Sequence, residues 1–339
     1  MPNSEDFALV IGIDDYKALD GLDGAKNDAE AFVRWLRDPA GGDVPGENIK
    51  LFLSSSDPWA PTMEPIIEWL AELVEARSPG QDDYVGRRLY LFMAGHGIGP
   101  SVDEAGLLMS NTSAISVNYM PGSKYANLFR QAALFEDVVL FMDCCRDHDW
   151  DLPDANIPLR FKSDPAAAHK VNILYAFATG FGRKSRERAF GENGSGVGGV
   201  FTRALLDGLA CKAATPDGRI TSESLKRYVL RQVEALRVPG TDQRPDVRVN
   251  FDFVLREGCP PPRVQVTVEL TEPERGFMVL DAGAGMKPVE DAPRGAGGNL
   301  RVLDLIPGHI YVFRVMDDGR ILRETGIEVK DEGANHVRL

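Results

Sequence analysis

Apolar residues gather along the first 250 positions into strand-length runs, at residues 7–13, 49–53, 88–93, 137–142 and 171–176. Most of these runs are apolar nearly throughout, which predicts strands buried on both faces of a sheet. Between them, residues 28–36 and 65–74 carry apolar side chains at three- and four-residue spacing and predict amphipathic helices. Residues 201–209 and 221–236 read as two further helices, the second capped by Thr221, and 247–253 as a sixth strand. Alternation of this kind predicts a mainly parallel sheet covered by helices on both faces, a three-layer α/β arrangement.

The pattern changes after Gly258-Cys259-Pro260-Pro261-Pro262, because consecutive prolines feed neither a helix nor a central ladder. We expect a boundary there, separating a domain at 1–257 from a second at 263–339. Beyond the boundary, runs at 264–270, 277–280, 300–305, 310–315, 321–325 and 337–339 alternate or are β-branched. Pro307-Gly308 and Asp317-Asp318-Gly319 punctuate them as turns, which predicts a small antiparallel β-sandwich with a binding or regulatory role.

Charge narrows the choice of partners. A formal net charge of −13 with no long basic run opposes nucleic acids and anionic membranes as partners. No apolar stretch approaches the roughly 18 residues needed to cross a bilayer, and the acidic N-terminal segment lacks the basic region of a secretory signal. Four cysteines, two of them adjacent, do not make a disulfide framework, so a cytoplasmic location is expected.

Two strand ends carry the chemistry. The run at 88–93 leads into Ala94-Gly95-His96-Gly97, and the run at 137–142 into Asp143-Cys144-Cys145-Arg146. Functional groups of open α/β sheets gather at the carboxyl edge of the strands. Each residue alone is ordinary, since a lone His or strand-end Cys is usually structural. Together they suggest a thiol activated by an imidazole, with the Gly97 and Cys145 N–H groups placed to hold an oxyanion. Residues two apart on a strand share a side, so Asp143 and Cys145 are expected to face the site while Cys144 turns into the sheet.

This pattern resembles the caspase-like cysteine peptidases, in particular the metacaspase and prokaryotic branch. His96 precedes Cys145 by 49 residues, similar to the family spacing of about 50. Val10-Ile11-Gly12-Ile13 followed by 22–29 is similar to the family's opening strand and turn, and 173–176 with 199–205 resemble its small-subunit region. About 250 residues are covered. The motif departs from Gln-Ala-Cys of animal caspases and from Asp-Ser-Cys-His-Ser-Gly of metacaspases, reading Asp143-Cys144-Cys145-Arg146-Asp147-His148 instead.

The resemblance implies a caspase-like endopeptidase acting on protein or peptide substrates through a Cys145 and His96 dyad, in a stress or defence pathway. It also implies that Asp28, with Asp143, forms a pocket for Arg or Lys before the cut, with Lys26 as a possible neutralising neighbour. The loop at 150–170 is a candidate for activation by self-cleavage or an upstream protease. Arg160 and Lys162 offer cutting points there, and Arg183, Lys184, Arg186 and Arg188 offer others downstream. No cofactor is expected; calcium dependence stays open, because Asp147, Asp149, Asp151 and Asp154 match no defined calcium loop. The alternatives are an inactive caspase-like scaffold whose C-terminal domain binds partners, and a nucleotide-binding enzyme. The latter lacks a glycine-rich loop after its first strand.

Overall fold

The computed structural model describes residues 3–80, 84–113, 115–147, 157–190, 196–272, 275–292, 298–330 and 335–339. Two compact units emerge, Met1–Ala213 with Thr221–Arg256, and Ala214–Ile220 with Glu257–Leu339.

The first unit is built on a six-stranded sheet. Its order is Asp246–Val249, Asn172–Phe177, Phe135–Asp143, Gly86–Ala94, Asp6–Gly12 and Ile49–Leu53. Five strands run parallel, and Asp246–Val249 joins the edge antiparallel. This last strand stops short of the predicted 253 because Asn250 takes over the ladder with its side chain. Its carboxamide accepts from Ile173 N (2.7 Å) and donates to the Val171 carbonyl (2.8 Å).

Helices cover both faces, as the periodicity predicts. On one face Phe32, from the helix Ala25–Arg37, stacks on Phe92 with ring centroids 4.6 Å apart and meets Tyr90 and Phe141 edge-on. On the other, Ile66, Leu70 and Val74 of Met63–Arg77 pack with Tyr125 and Phe129 of Gly122–Ala132 against Leu89, Leu91 and Met93. The side chains of successive strand residues thus divide between two layers. Thr221 caps Ser222–Leu236 through a reciprocal pair of hydrogen bonds with Ser224.

One buried ion pair sets the register that matters for function. Arg88 donates to Asp137 from Nε (2.9 Å) and Nη2 (2.6 Å), and the two stand opposite one another in adjacent strands. A one-residue slip would separate two charges inside the core, at a cost of several kcal/mol. The same register brings Ala94 opposite Asp143, so the two strands end level.

The second unit holds a three-stranded sheet (Leu300–Leu305, Val264–Glu269, Asn335–Arg338) and a four-stranded one (Lys287–Ala292, Gly276–Asp281, Ile310–Asp317, Arg320–Glu328). Val266, Val268, Phe277, Val279, Phe313 and Val337 share one apolar core. The expectation of a wholly antiparallel sandwich is corrected at one pairing, since Asn335–Arg338 runs parallel to Val264–Glu269. The final strand arrives there from the other sheet and enters beside the first strand in the same direction.

Away from the strand ends, Glu104 accepts from Ala105 N and Ser123 N, both 3.0 Å, at the start of the helix Gly122–Ala132. It is almost fully buried, and burial pushes its carboxyl up from 4.5 to about 7 against the pull of these donors. The folded state therefore keeps a proton that the unfolded chain loses, so stability falls as pH rises from about 4.5 to 7. Glu104→Gln is expected to flatten this window in thermal melts, gaining up to about 3 kcal/mol over wild type at pH 8 and little at pH 4.5. Parallel pH profiles for the two proteins would show the carboxyl to be innocent.

Candidate active site

His96 and Cys145 line one cleft of about 480 Å³, together with Asp28, Asp143, Gly97 and Glu187. The strand Gly86–Ala94 delivers the histidine and Phe135–Asp143 the cysteine, and Gly95 N donates to the Asp143 carbonyl (3.2 Å) just beyond the two strand ends.

The imidazole is held on several sides. Its backbone N–H donates to the Tyr16 hydroxyl (2.7 Å), its carbonyl accepts from Leu108 N (2.9 Å), and the Tyr16 ring lies 4.9 Å away. Nε2 stands 2.9 Å from the Asp20 carbonyl oxygen. A carbonyl only accepts, so Nε2 carries the proton and the Nδ1 lone pair is left to receive one.

The two cysteines differ in kind. Cys144 is buried in the apolar core, where burial pushes its thiol well above the ordinary range. Cys145 is half-buried at the cleft wall, with Sγ 3.8 Å from the Ser185 carbonyl oxygen. Burial raises its thiol pKa, and the Asp143 and Asp147 carboxylates add to the effect. The resting group is therefore a thiol that needs a base before it can attack. Gly99 N donates to the Asp147 carbonyl (2.7 Å), and backbone N–H groups alternate along a strand. The Gly97 N–H consequently faces the same side, that of the Cys145–Asp147 chain. Cys144 and Cys145 have free thiols.

Asp28 and Asp143 meet across Gly199. Asp28 Oδ2 accepts from Gly199 N (2.7 Å). Asp143 Oδ1 accepts from the Ser185 hydroxyl (2.7 Å), and its Oδ2 from Thr202 N (3.0 Å) and the Thr202 hydroxyl (2.8 Å). A Cβ at Gly199 would fall within collision distance of Asp143 Oδ2 and 3.0 Å from Asp28 Oδ2, so glycine is what lets both carboxylates converge. Burial pushes both carboxyls up; at Asp28 the neighbouring Asp143 charge adds to the rise, and at Asp143 the three hydrogen bonds oppose it. Among the described residues neither makes an ion pair. Lys26 is held by Asp15 instead, at 2.9 Å.

Sequence reading missed several contributors. Glu187 reaches the cleft from the strand Glu187–Ala189 and accepts from Gly24 N (3.1 Å) and Asp23 N (3.3 Å). Ser185 and Glu187 are half-buried while Lys184, Arg186 and Arg188 are exposed, Lys184 and Arg186 at the border of the same cleft, an alternation that a stretch crowded with charge does not advertise. Tyr16 and Asp20 act through a loop with no regular pattern.

The basic residues proposed for processing fall into two groups. Arg160 and Lys162 are exposed, alternating with Ile157, Leu159 and Phe161, which pack on the core. Arg183 pairs with Asp242, Lys184 with Asp147 (3.7 Å), and Arg188 donates to the Leu236 carbonyl (3.2 Å). Cutting at Lys184 or Arg186 would sever the wall that carries Ser185 and Glu187. Of the acidic residues after the cysteine, Asp149, Asp151 and Asp154 lie outside the described residues, as does the first part of the candidate processing loop, 150–156. Among the described residues no group of three or more His, Cys, Asp or Glu is arranged to hold a metal ion, and no helix is long and apolar enough to cross a membrane.

The caspase domain profile matches residues 5–251. A probable protease of a Desulfuromonadales bacterium is 27% identical over 244 residues, covering 67% of this chain and 28% of that relative. Caspase-1 from Spodoptera frugiperda superposes with a TM-score of 0.48 at 16% identity, over 73% of this chain and 87% of that one. The structure of pro-sf-caspase-1 gives 0.44 at 13% identity, over 73% and 92%. With the profile spanning most of the chain, this protein belongs to the caspase domain family, while it spans little more than a quarter of the length of the bacterial relative it matches.

Proposed function

We propose that the first unit is an endopeptidase in which Cys145 is the nucleophile, His96 the base, and Arg or Lys the residue before the cut. As Cys145 Sγ attacks the peptide carbonyl carbon, its proton passes to His96 Nδ1 and the oxyanion receives the Gly97 and Cys145 N–H groups. His96 returns the proton to the departing amine, and water then hydrolyses the thioester. What carries this reading is a single juxtaposition: Asp28 and Asp143, without a counter-ion among the described residues, line the same cleft as Cys145 and His96. A guanidinium or ammonium group entering the cleft provides the counter-charge that favours the ionised carboxylates. Arg160 and Lys162 have the matching chemistry and lie outside the cleft wall, so we include them as the sites of activating cleavage.

An acyloxymethyl ketone peptide ending in arginine tests the proposal. Peptide mapping is expected to place the adduct on Cys145 and leave Cys144 unmodified, with an aspartyl reagent reacting far more slowly. On a denaturing gel the label is expected to follow a fragment ending at Arg160 or Lys162. Absence of any adduct would favour the inactive scaffold, and an adduct on Cys144 would overturn the assignment of the nucleophile. Label confined to the intact chain in a fully active sample would remove cleavage as the switch.

A further inference from the structure

Beyond the dyad, we infer that Tyr16 is a positioning residue for His96, holding the base through its hydroxyl group; the inference rests on the dyad reading above. Tyr16 follows the first strand by four residues and is almost wholly buried, so its ring and hydroxyl have few alternative positions. It touches His96 at two points. The hydroxyl accepts the His96 backbone N–H at 2.7 Å, and the ring lies against the imidazole with centroids 4.9 Å apart and planes inclined at 53°.

The surrounding chain supports the same arrangement. Gly95 has φ of +151°, a conformation that side-chain-bearing residues avoid. A Cβ there would come within 2.5 Å of the Tyr16 hydroxyl. The backbone immediately before the histidine is thus shaped around the tyrosine oxygen. Tyr16's own loop is tied down as well. Lys17 N donates to the Ser110 carbonyl (2.9 Å), Ser110 Oγ donates to the Asp15 carbonyl (2.6 Å), and Leu22 N donates to the Asp14 carbonyl (2.9 Å). The Asp20 carbonyl that receives Nε2 belongs to this loop. Tyr16 and Asp20 therefore grip the histidine from one well-anchored segment, one at its backbone and the other at its ring.

The consequence is chemical. Proton transfer from Cys145 depends on the direction of the Nδ1 lone pair, and small misplacements of a catalytic group cost disproportionately in rate. Tyr16→Phe keeps the ring and removes the acceptor, which releases the His96 amide. A residue that acts through His96 has nothing to contribute once the imidazole is gone, so its effect must disappear in a His96→Ala background.

The test measures Cys145 alkylation by iodoacetamide at pH 7.5 in wild type, Tyr16→Phe, His96→Ala and the double variant, with kcat and KM on an arginyl peptide for the first two. Tyr16→Phe is expected to slow alkylation and kcat by about tenfold with KM changed by less than about twofold. In the His96→Ala background the same substitution is expected to change alkylation by less than about twofold. Gly95→Ala, which crowds the hydroxyl from the other side, is expected to reproduce the Tyr16→Phe pattern. An unchanged rate in Tyr16→Phe, or an equal slowing with and without His96, would overturn the role. Wild-type reactivity in His96→Ala would overturn the dyad itself, and this inference with it.

Discussion

Purified Cys145→Ala is expected to show no peptidase activity above background, a loss of at least about 10⁴-fold, while melting like the wild type. Sγ is the atom that forms the bond to the substrate, and at the half-buried cleft wall its replacement by a methyl group gives up only the long contact to the Ser185 carbonyl. His96→Ala is expected to fall nearly as far, and the double variant no further than either alone, because the two groups act in one step. Cys144→Ala is the informative contrast. Its thiol lies in the apolar core instead of the cleft, so the variant is expected to lose about 1 kcal/mol of stability and to retain most of its turnover. Initial rates on a fluorogenic arginyl peptide, with melting curves for each protein, decide the matter. A folded but inactive Cys144→Ala beside an active Cys145→Ala would reverse the assignment.

Cleavage after Arg over Asp is expected to differ by about 10³-fold or more in kcat/KM, measured on peptides identical except at the residue before the cut. Each charge-assisted hydrogen bond to a desolvated carboxylate is worth about 1.5–3 kcal/mol, so two of them amount to a factor of about 10² to 10⁴. An aspartate side chain would instead meet Asp28 and Asp143 with like charge. Asp28→Asn is expected to lower kcat/KM for the arginyl peptide by about 10- to 100-fold, since the amide oxygen can still accept Gly199 N but carries no charge. Asp143→Asn also disturbs Ser185 and Thr202, and is expected to cost at least as much. Both carboxyls are pushed up by burial, so protonation sets in above the usual carboxylate range as pH falls. KM for the arginyl peptide is therefore expected to rise on acidification earlier than two exposed aspartates would cause. Equal turnover of the aspartyl peptide, or unaltered arginyl cleavage in both variants, would exclude this pocket.

How far sequence reading reaches can be seen in particular elements. The long apolar strands were legible because burial on both faces leaves few polar positions, and the helix Ser222–Leu236 because Thr221 announces its start. The helix Gly122–Ala132 escaped notice. It follows Pro121 with no side-chain cap, and its buried face rests on Tyr125, Ala126 and Phe129 within a single turn and a half. The strand Lys287–Ala292 was obscured by Pro288, which is tolerated because the strand lies at the edge of its sheet.

The sequence alone determined the class of fold, the two strand ends that bear His96 and Cys145, and the acidic residues nearest to them. These follow from local rules, since the periodicity of apolar residues and the glycines flanking a strand end are written in consecutive positions. Strand alternation also singled out Cys145 over Cys144, whereas tertiary structure decided that Asp28 and Asp143 converge on Gly199 and that Ser185, Glu187 and Tyr16 stand at the site. Those contacts join residues between 42 and 171 positions apart in the cases of Ser185 with Asp143 and Gly199 with Asp28. Only the pairing order of the sheet and the path of its loops bring such distant residues together, because hydrogen bonding and burial act through space and leave no periodic trace in the chain.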